Sequence, residues 1–231
     1  DLLKKTISKK SWQPSPIMLS GNTDCYQPIE KKLEITRQLL QVLLEHKHPV
    51  GIITKNSLIQ RDMDILQEMA ALRLVNVVIS ITTLNEEVRR KMEPRTATAA
   101  KRLETVELIT KAGIPVMVNI APIVPGLNDI EIMKIAKAAS AAGALGIGYN
   151  ILRLPGEVEQ VFTDWLEMAF PMRKDKILNQ LRQVHGGQIQ DTKSGRRMRG
   201  EGVIADSIKQ QMQMARKRYF EGRQLPSLDC T

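Results

Sequence analysis

Two cysteines in 231 residues, Cys25 in a loop and Cys230 at the extreme end, are too few for a disulfide framework or a four-cysteine metal site, and neither has a metal-spaced neighbour. Aromatic residues make up only 3% of the chain, which leaves few platforms for stacking single-stranded bases. No apolar run approaches the roughly 20 residues that span a bilayer, and residues 1–10 lack the apolar centre of a signal peptide. These absences predict a cytoplasmic protein with no membrane partner.

What is present suits one large α/β domain: 42% of the residues are hydrophobic, enough for a substantial core. The net charge of +9 is unevenly placed, because residues 173–231 alone hold 13 basic and 6 acidic side chains, +7. Clusters such as Arg196-Arg197-Met198-Arg199 and Arg216-Lys217-Arg218 have the charge to neutralise phosphates, although a solvated basic face would read the same way.

Short apolar runs begin near Ile17, Val50, Val75, Val116 and Ile147. They are apolar on both faces, as in Val77-Val78-Ile79, which suits parallel strands covered by helices. Four of them run into small polar residues, at Ser20-Gly21-Asn22-Thr23-Asp24, Thr54-Lys55-Asn56, Ser80-Ile81-Thr82-Thr83 and Asn119-Ile120-Ala121-Pro122, each followed by helical periodicity. That alternation predicts a β/α barrel with its site at the carboxyl ends of the strands. Helices are expected over 33–44, 65–72, 99–112 and 130–142, the last two stopped by Gly113 and Gly143. A helix over 2–11 feeds the strand at Ile17, so a strand should precede it and the barrel's first strand is missing from the chain. The division expected is 1–155 for a partial barrel and 156–231 for a helical basic extension, with helices over 157–170, 173–184 and 203–220.

Among single residues, Lys55 at a strand's carboxyl end points an ammonium into the mouth, where it suits a carboxylate or phosphate. Ser80 offers a hydroxyl to the same mouth, or satisfies a nearby backbone group. Thr23-Asp24, read alone, is also an ordinary cap. Arg153 is placed toward the mouth, His46 and His48 at the surface of the opposite end, and His185 at a helix end.

Taken together these segments resemble radical S-adenosylmethionine enzymes, in the branch of spore photoproduct lyase and its "DNA repair photolyase" relatives. Residues 20–30 look like the loop after that branch's second barrel strand, Thr54-Lys55 like its strand-three Thr-Lys, and Ser80-Ile81-Thr82-Thr83 like its strand-four Ser-Ile-Asn-Thr; Glu93-Pro94-Arg95-Thr96 and Ala121-Pro122-Ile123 follow in order. The resemblance implies a partial (β/α)6 TIM-like barrel and two cofactors, S-adenosylmethionine and a 4Fe-4S cluster. It implies that Thr23 and Asp24 help hold the amino acid end of S-adenosylmethionine, that Lys55 and Ser80 bond its carboxylate, and that the backbone at Ala121 meets the adenine. It implies an electron donor such as flavodoxin or ferredoxin, and hydrogen abstraction by a 5'-deoxyadenosyl radical from a substrate that the basic tail suggests is nucleic acid.

The chain departs from the family in two places. The three cluster cysteines spaced C-x-x-x-C-x-x-C are not in it, so the ligands are expected outside this chain and the chain as given is expected to be inactive. The lyase's hydrogen-donor cysteine has no counterpart, since Gly21 and Asn22 stand there, and Cys25 reads as an ordinary loop thiol. Two other readings stand beside this one. A non-radical barrel enzyme binding a phosphorylated molecule would use Lys55, but Gly146 and Gly148 make a poor phosphate loop. A non-catalytic nucleic-acid-binding protein would explain the tail but not the polar strand ends.

Overall fold

The computed structural model describes residues 2–189 and 198–230. Five strands, β1 (Ile17–Leu19), β2 (Val50–Thr54), β3 (Val75–Ser80), β4 (Val116–Ile123) and β5 (Ile147–Ile151), form one parallel sheet in sequence order. Crossovers that always step to the next strand in one direction curl a sheet toward a barrel and leave it open at β1 and β5. Alternate residues such as Val50, Ile52, Val75, Val77, Ile79, Val116 and Val118 bury one face in the core. Successive side chains of a strand point to opposite faces, so the intervening residues, Ile53, Val78 and Asn119 among them, line the other.

The helices are α1 (Leu2–Ile7), α2 (Glu30–Leu33), α3 (Ile35–Glu45), α4 (Met63–Ala71), α5 (Glu86–Met92), α6 (Ala99–Lys111), α7 (Ile132–Ala141), α8 (Val158–Ala169), α9 (Lys174–Val184) and α10 (Val203–Tyr219). The helix expected over 33–44 is broken. Glu34 adopts φ 50°, and the buried carboxylate of Glu30 accepts from Thr36 N (3.0 Å), capping α3 from outside it. The helix over Glu86–Met92 was not expected; Asn85 starts it by accepting from the backbone of Glu87 and Val88. β4 runs on past Asn119 to Ile123, with an irregularity between Ile120 and Ile123. At the close of α7, Gly143 takes φ 90°, where a Cβ would lie 2.6 Å from Thr110 Cγ2.

The described residues from 156 onward pack in two places. Ala205, Ile208, Met212 and Ala215 form one stripe of α10, buried with the sheet in the main core, while α8 and α9 bury Leu166, Ile177 and Leu181 with Val124 and Leu127 in a smaller cluster. The final segment crosses the amino ends of the strands: Arg223 Nη1 donates to Ala144 O (2.8 Å), Asn76 Nδ2 to Pro226 O (3.1 Å) and Asp229 N to Arg73 O (2.9 Å). His48, expected at the surface, is buried. Its Nδ1 donates to Pro49 O (3.0 Å), and its Nε2 accepts from Trp12 Nε1 (3.0 Å), because Trp12 folds across the turn that carries it. Among the described residues no helix is long and apolar enough to cross a membrane.

Candidate active site

The loop after β1 is built by small polar groups. Ser20 turns the chain with φ 73° and its Oγ accepts from Cys25 N (2.8 Å). Asp24 joins this loop to the end of β2: Oδ1 accepts from Thr54 Oγ1 (2.7 Å) and Tyr26 N (2.9 Å), and Oδ2 from Lys55 N (2.8 Å). A carboxylate with both oxygens so occupied holds a scaffold in register. Asp24 thus ties the loop that carries Thr23 to Lys55 at the end of β2.

A cavity of about 270 Å³ opens at these strand ends, lined by Thr23, Asp24, Lys55 and Ser80 together with Asn22 and Ile53. Four of the five residues singled out in the sequence thus share one space. Among the described residues the hydroxyls of Thr23 and Ser80 make no hydrogen bond within the protein, so both are free to meet a ligand. Ala121 does not line the cavity. Its carbonyl accepts from Thr82 Oγ1 (3.0 Å), one strand further along. Arg153 is exposed beyond β5.

Under the cavity lies a charge network that the sequence reading missed. Glu93, buried just past α5, ion-pairs with the Lys55 ammonium through Oε1, which also accepts from Thr82 Oγ1 (2.7 Å). Its Oε2 accepts from Arg102 Nη2 (2.7 Å). Arg102 is 2% exposed and also donates to Ser80 O (2.8 Å), tying α6 to the end of β3. Burial alone would raise the Glu93 carboxyl, but the Lys55 and Arg102 cations outweigh it and hold the group below its ordinary range. Lys55 and Arg102 balance the carboxylates of Glu93 and Asp24 in formal charge, and the Lys55 ammonium is the cation the cavity offers to an anionic group such as a carboxylate. Arg102 had a signal in the sequence: it falls on the stripe Ala99, Arg102, Val106, Ile109, where a charged residue interrupts an otherwise apolar face.

Cys25 is a poor nucleophile. Burial raises its thiol to about 11, against the lowering by its bond to Ser20, so almost none is thiolate at neutral pH. Among the described residues no three His, Cys, Asp or Glu side chains are grouped to hold a metal ion. The residues present therefore do not fit a 4Fe-4S cluster, which needs thiolates that Cys25 and Cys230 cannot supply.

The Radical SAM superfamily model matches residues 4–139. An uncharacterised protein of Mycobacterium tuberculosis is 30% identical over 172 residues, 74% of this chain and 51% of that protein. One of Methanocaldococcus jannaschii is 30% identical over 115 residues, 50% of this chain and 43% of the other. The chain spans about half the length of the curated relatives it matches. Among solved structures, spore photoproduct lyase complexed with dinucleoside spore photoproduct superposes with a TM-score of 0.63 at 14% identity, over 95% of this chain and 63% of that one. A lyase variant gives the same TM-score at 13% identity, over 96% and 63%.

Proposed function

The chain belongs to the radical SAM superfamily, and from that premise we propose that the cavity at the ends of β1–β3 binds S-adenosylmethionine in an enzyme that abstracts hydrogen from a nucleic acid. The observation that carries this reading is the Lys55 ammonium, presented to one cavity with the hydroxyls of Thr23 and Ser80 and aimed from beneath by the buried carboxylate of Glu93.

The amino acid end of S-adenosylmethionine is a zwitterion. Lys55 and Ser80 supply the cation and the donor that its carboxylate needs, and Thr23 supplies a further hydroxyl. Asp24 keeps the loop shut on β2, and the Thr82 bond to Ala121 O holds the strand against which the adenine would lie. When bound, S-adenosylmethionine is the radical source of the superfamily's chemistry. A 4Fe-4S cluster, which would supply the reducing electron, and its donor such as flavodoxin or ferredoxin would be held from outside these residues. Nucleic acid as the substrate class rests on the lyase fold, seen elsewhere holding a dinucleoside photoproduct, and on the basic carboxy-terminal region.

The test is the affinity for S-adenosylmethionine of the complete, cluster-loaded protein and its Lys55→Ala variant, by equilibrium dialysis. Losing a charge-assisted bond should cost about 1.5–3 kcal/mol, a tenfold to hundredfold weaker dissociation constant. Equal affinities would remove Lys55 from the site.

A further inference from the structure

A second polar cavity, of about 340 Å³, lies at the other edge of the sheet, between β5 and α10 and away from Lys55. As an edge strand, β5 has outward backbone groups that need partners, and residues 147, 149 and 151 all find them in the carboxy-terminal region. Ile151 N donates to Met198 O (3.0 Å), Arg199 Nη1 donates to Tyr149 O (2.8 Å) and Arg216 Nε donates to Ile147 O (3.1 Å). The two arginines cover an edge that would otherwise invite another strand.

Covering the edge does not exhaust them. Each guanidinium spends one N–H on a carbonyl and keeps four. Arg199 is fixed further by lying over the Tyr149 ring, 4.1 Å from its centroid. Edge protection also leaves Lys209 unexplained, which lines the same cavity from α10 on a stripe with Asp206, Gln213 and Arg216. Among the described residues Arg199, Lys209 and Arg216 make no ion pair, and Asp206 is the one carboxylate on the wall. Two anchored guanidinium forks and an ammonium facing one space, opposed by a single acid, fit an anion with several oxygens at fork spacing.

We infer that this cavity grips a backbone phosphate of a nucleic acid. A polynucleotide is favoured over a small phosphorylated molecule because Arg199, Lys209 and Arg216 are exposed at an open edge, and Lys217, next to Arg216, carries positive charge beyond the cavity. Only this choice of source rests on the nucleic-acid reading above; the phosphate chemistry stands on the cavity itself. Arg196 and Arg197, the other half of the first basic cluster, lie outside the described residues.

The experiment is fluorescence anisotropy of a labelled single-stranded oligonucleotide with the full chain across a salt series, with inorganic phosphate as competitor. Lys209 and Asp206 are exposed, so their variants leave the fold intact. Lys209→Ala should weaken binding several-fold and flatten the logarithmic salt slope by about one, Lys209→Arg should restore it, and Asp206→Asn should tighten it. Lys217→Ala, off the cavity, should do less. Inorganic phosphate binding that Lys209→Ala abolishes, without oligonucleotide binding, would keep the phosphate cavity and overturn its polynucleotide source. Lys209→Ala and Lys217→Ala with equal effects, or no change with either Lys209→Ala or Asp206→Asn, would overturn the site. Lys209→Ala should leave 5'-deoxyadenosine formation by the complete, cluster-loaded protein unchanged, so neither result bears on Lys55.

Discussion

Glu93 decides how the mouth is charged, since it is the acceptor shared by Lys55, Thr82 and Arg102. Glu93→Gln would leave a buried arginine without its counter-ion, and breaking such a pair typically costs about 3–5 kcal/mol, read as a lower urea midpoint. The pH dependence follows from the depressed carboxyl. Its folded value lies below the ordinary 4.5, so its contribution is complete above that value and is lost as the pH falls through the folded one. Urea midpoints of the parent should therefore drop on acidification below pH 4.5, and Glu93→Gln should remove part of that slope; parallel slopes would refute the network. Residue by residue, the sequence showed the groups that face the cavity, because strand ends are local signals. It did not show their partners: that Asp24 is spent on Thr54 and Lys55, or that Glu93 lies under Lys55, depends on loops meeting across about thirty to forty positions.

Elements were legible where they end in local chemistry. Five short apolar runs, four of them with polar ends, became five parallel strands, and Gly113 and Gly143 stop their helices as their positions suggest. The break at Glu34 was not legible, since it depends on a tertiary cap from Glu30 to Thr36 N. The helix α5 was legible in principle, because Asn85 before Glu86-Glu87 is a cap followed by an acidic first turn. It delivers Glu93 to the network, so its cap matters to the site. Asn85→Ala should cost about 1 kcal/mol of stability by chemical denaturation, with a smaller loss of S-adenosylmethionine affinity. A destabilisation no greater than that of a neighbouring surface substitution such as Arg90→Ala would mean that α5 is held by packing alone.

At the scale of the molecule, α10 and the strands share a core. Met212 on α10 is buried against the sheet layer, so Met212→Ala should lower stability by about 2–4 kcal/mol. The two tryptophans offer separate probes, Trp12 against His48 and Trp165 between Phe162 and Phe170. The basic cavity at α10 and the mouth at β1–β3 stand at opposite edges of one sheet. Binding of S-adenosylmethionine in the mouth at β1–β3 is tested by supplying the complete protein, with its cluster formed and reduced, with S-adenosylmethionine and measuring 5'-deoxyadenosine. The account predicts that the nucleoside forms, and that Lys55→Ala with an equally formed cluster requires at least about tenfold more S-adenosylmethionine for the same rate. A fully formed, reduced cluster with no 5'-deoxyadenosine would contradict it.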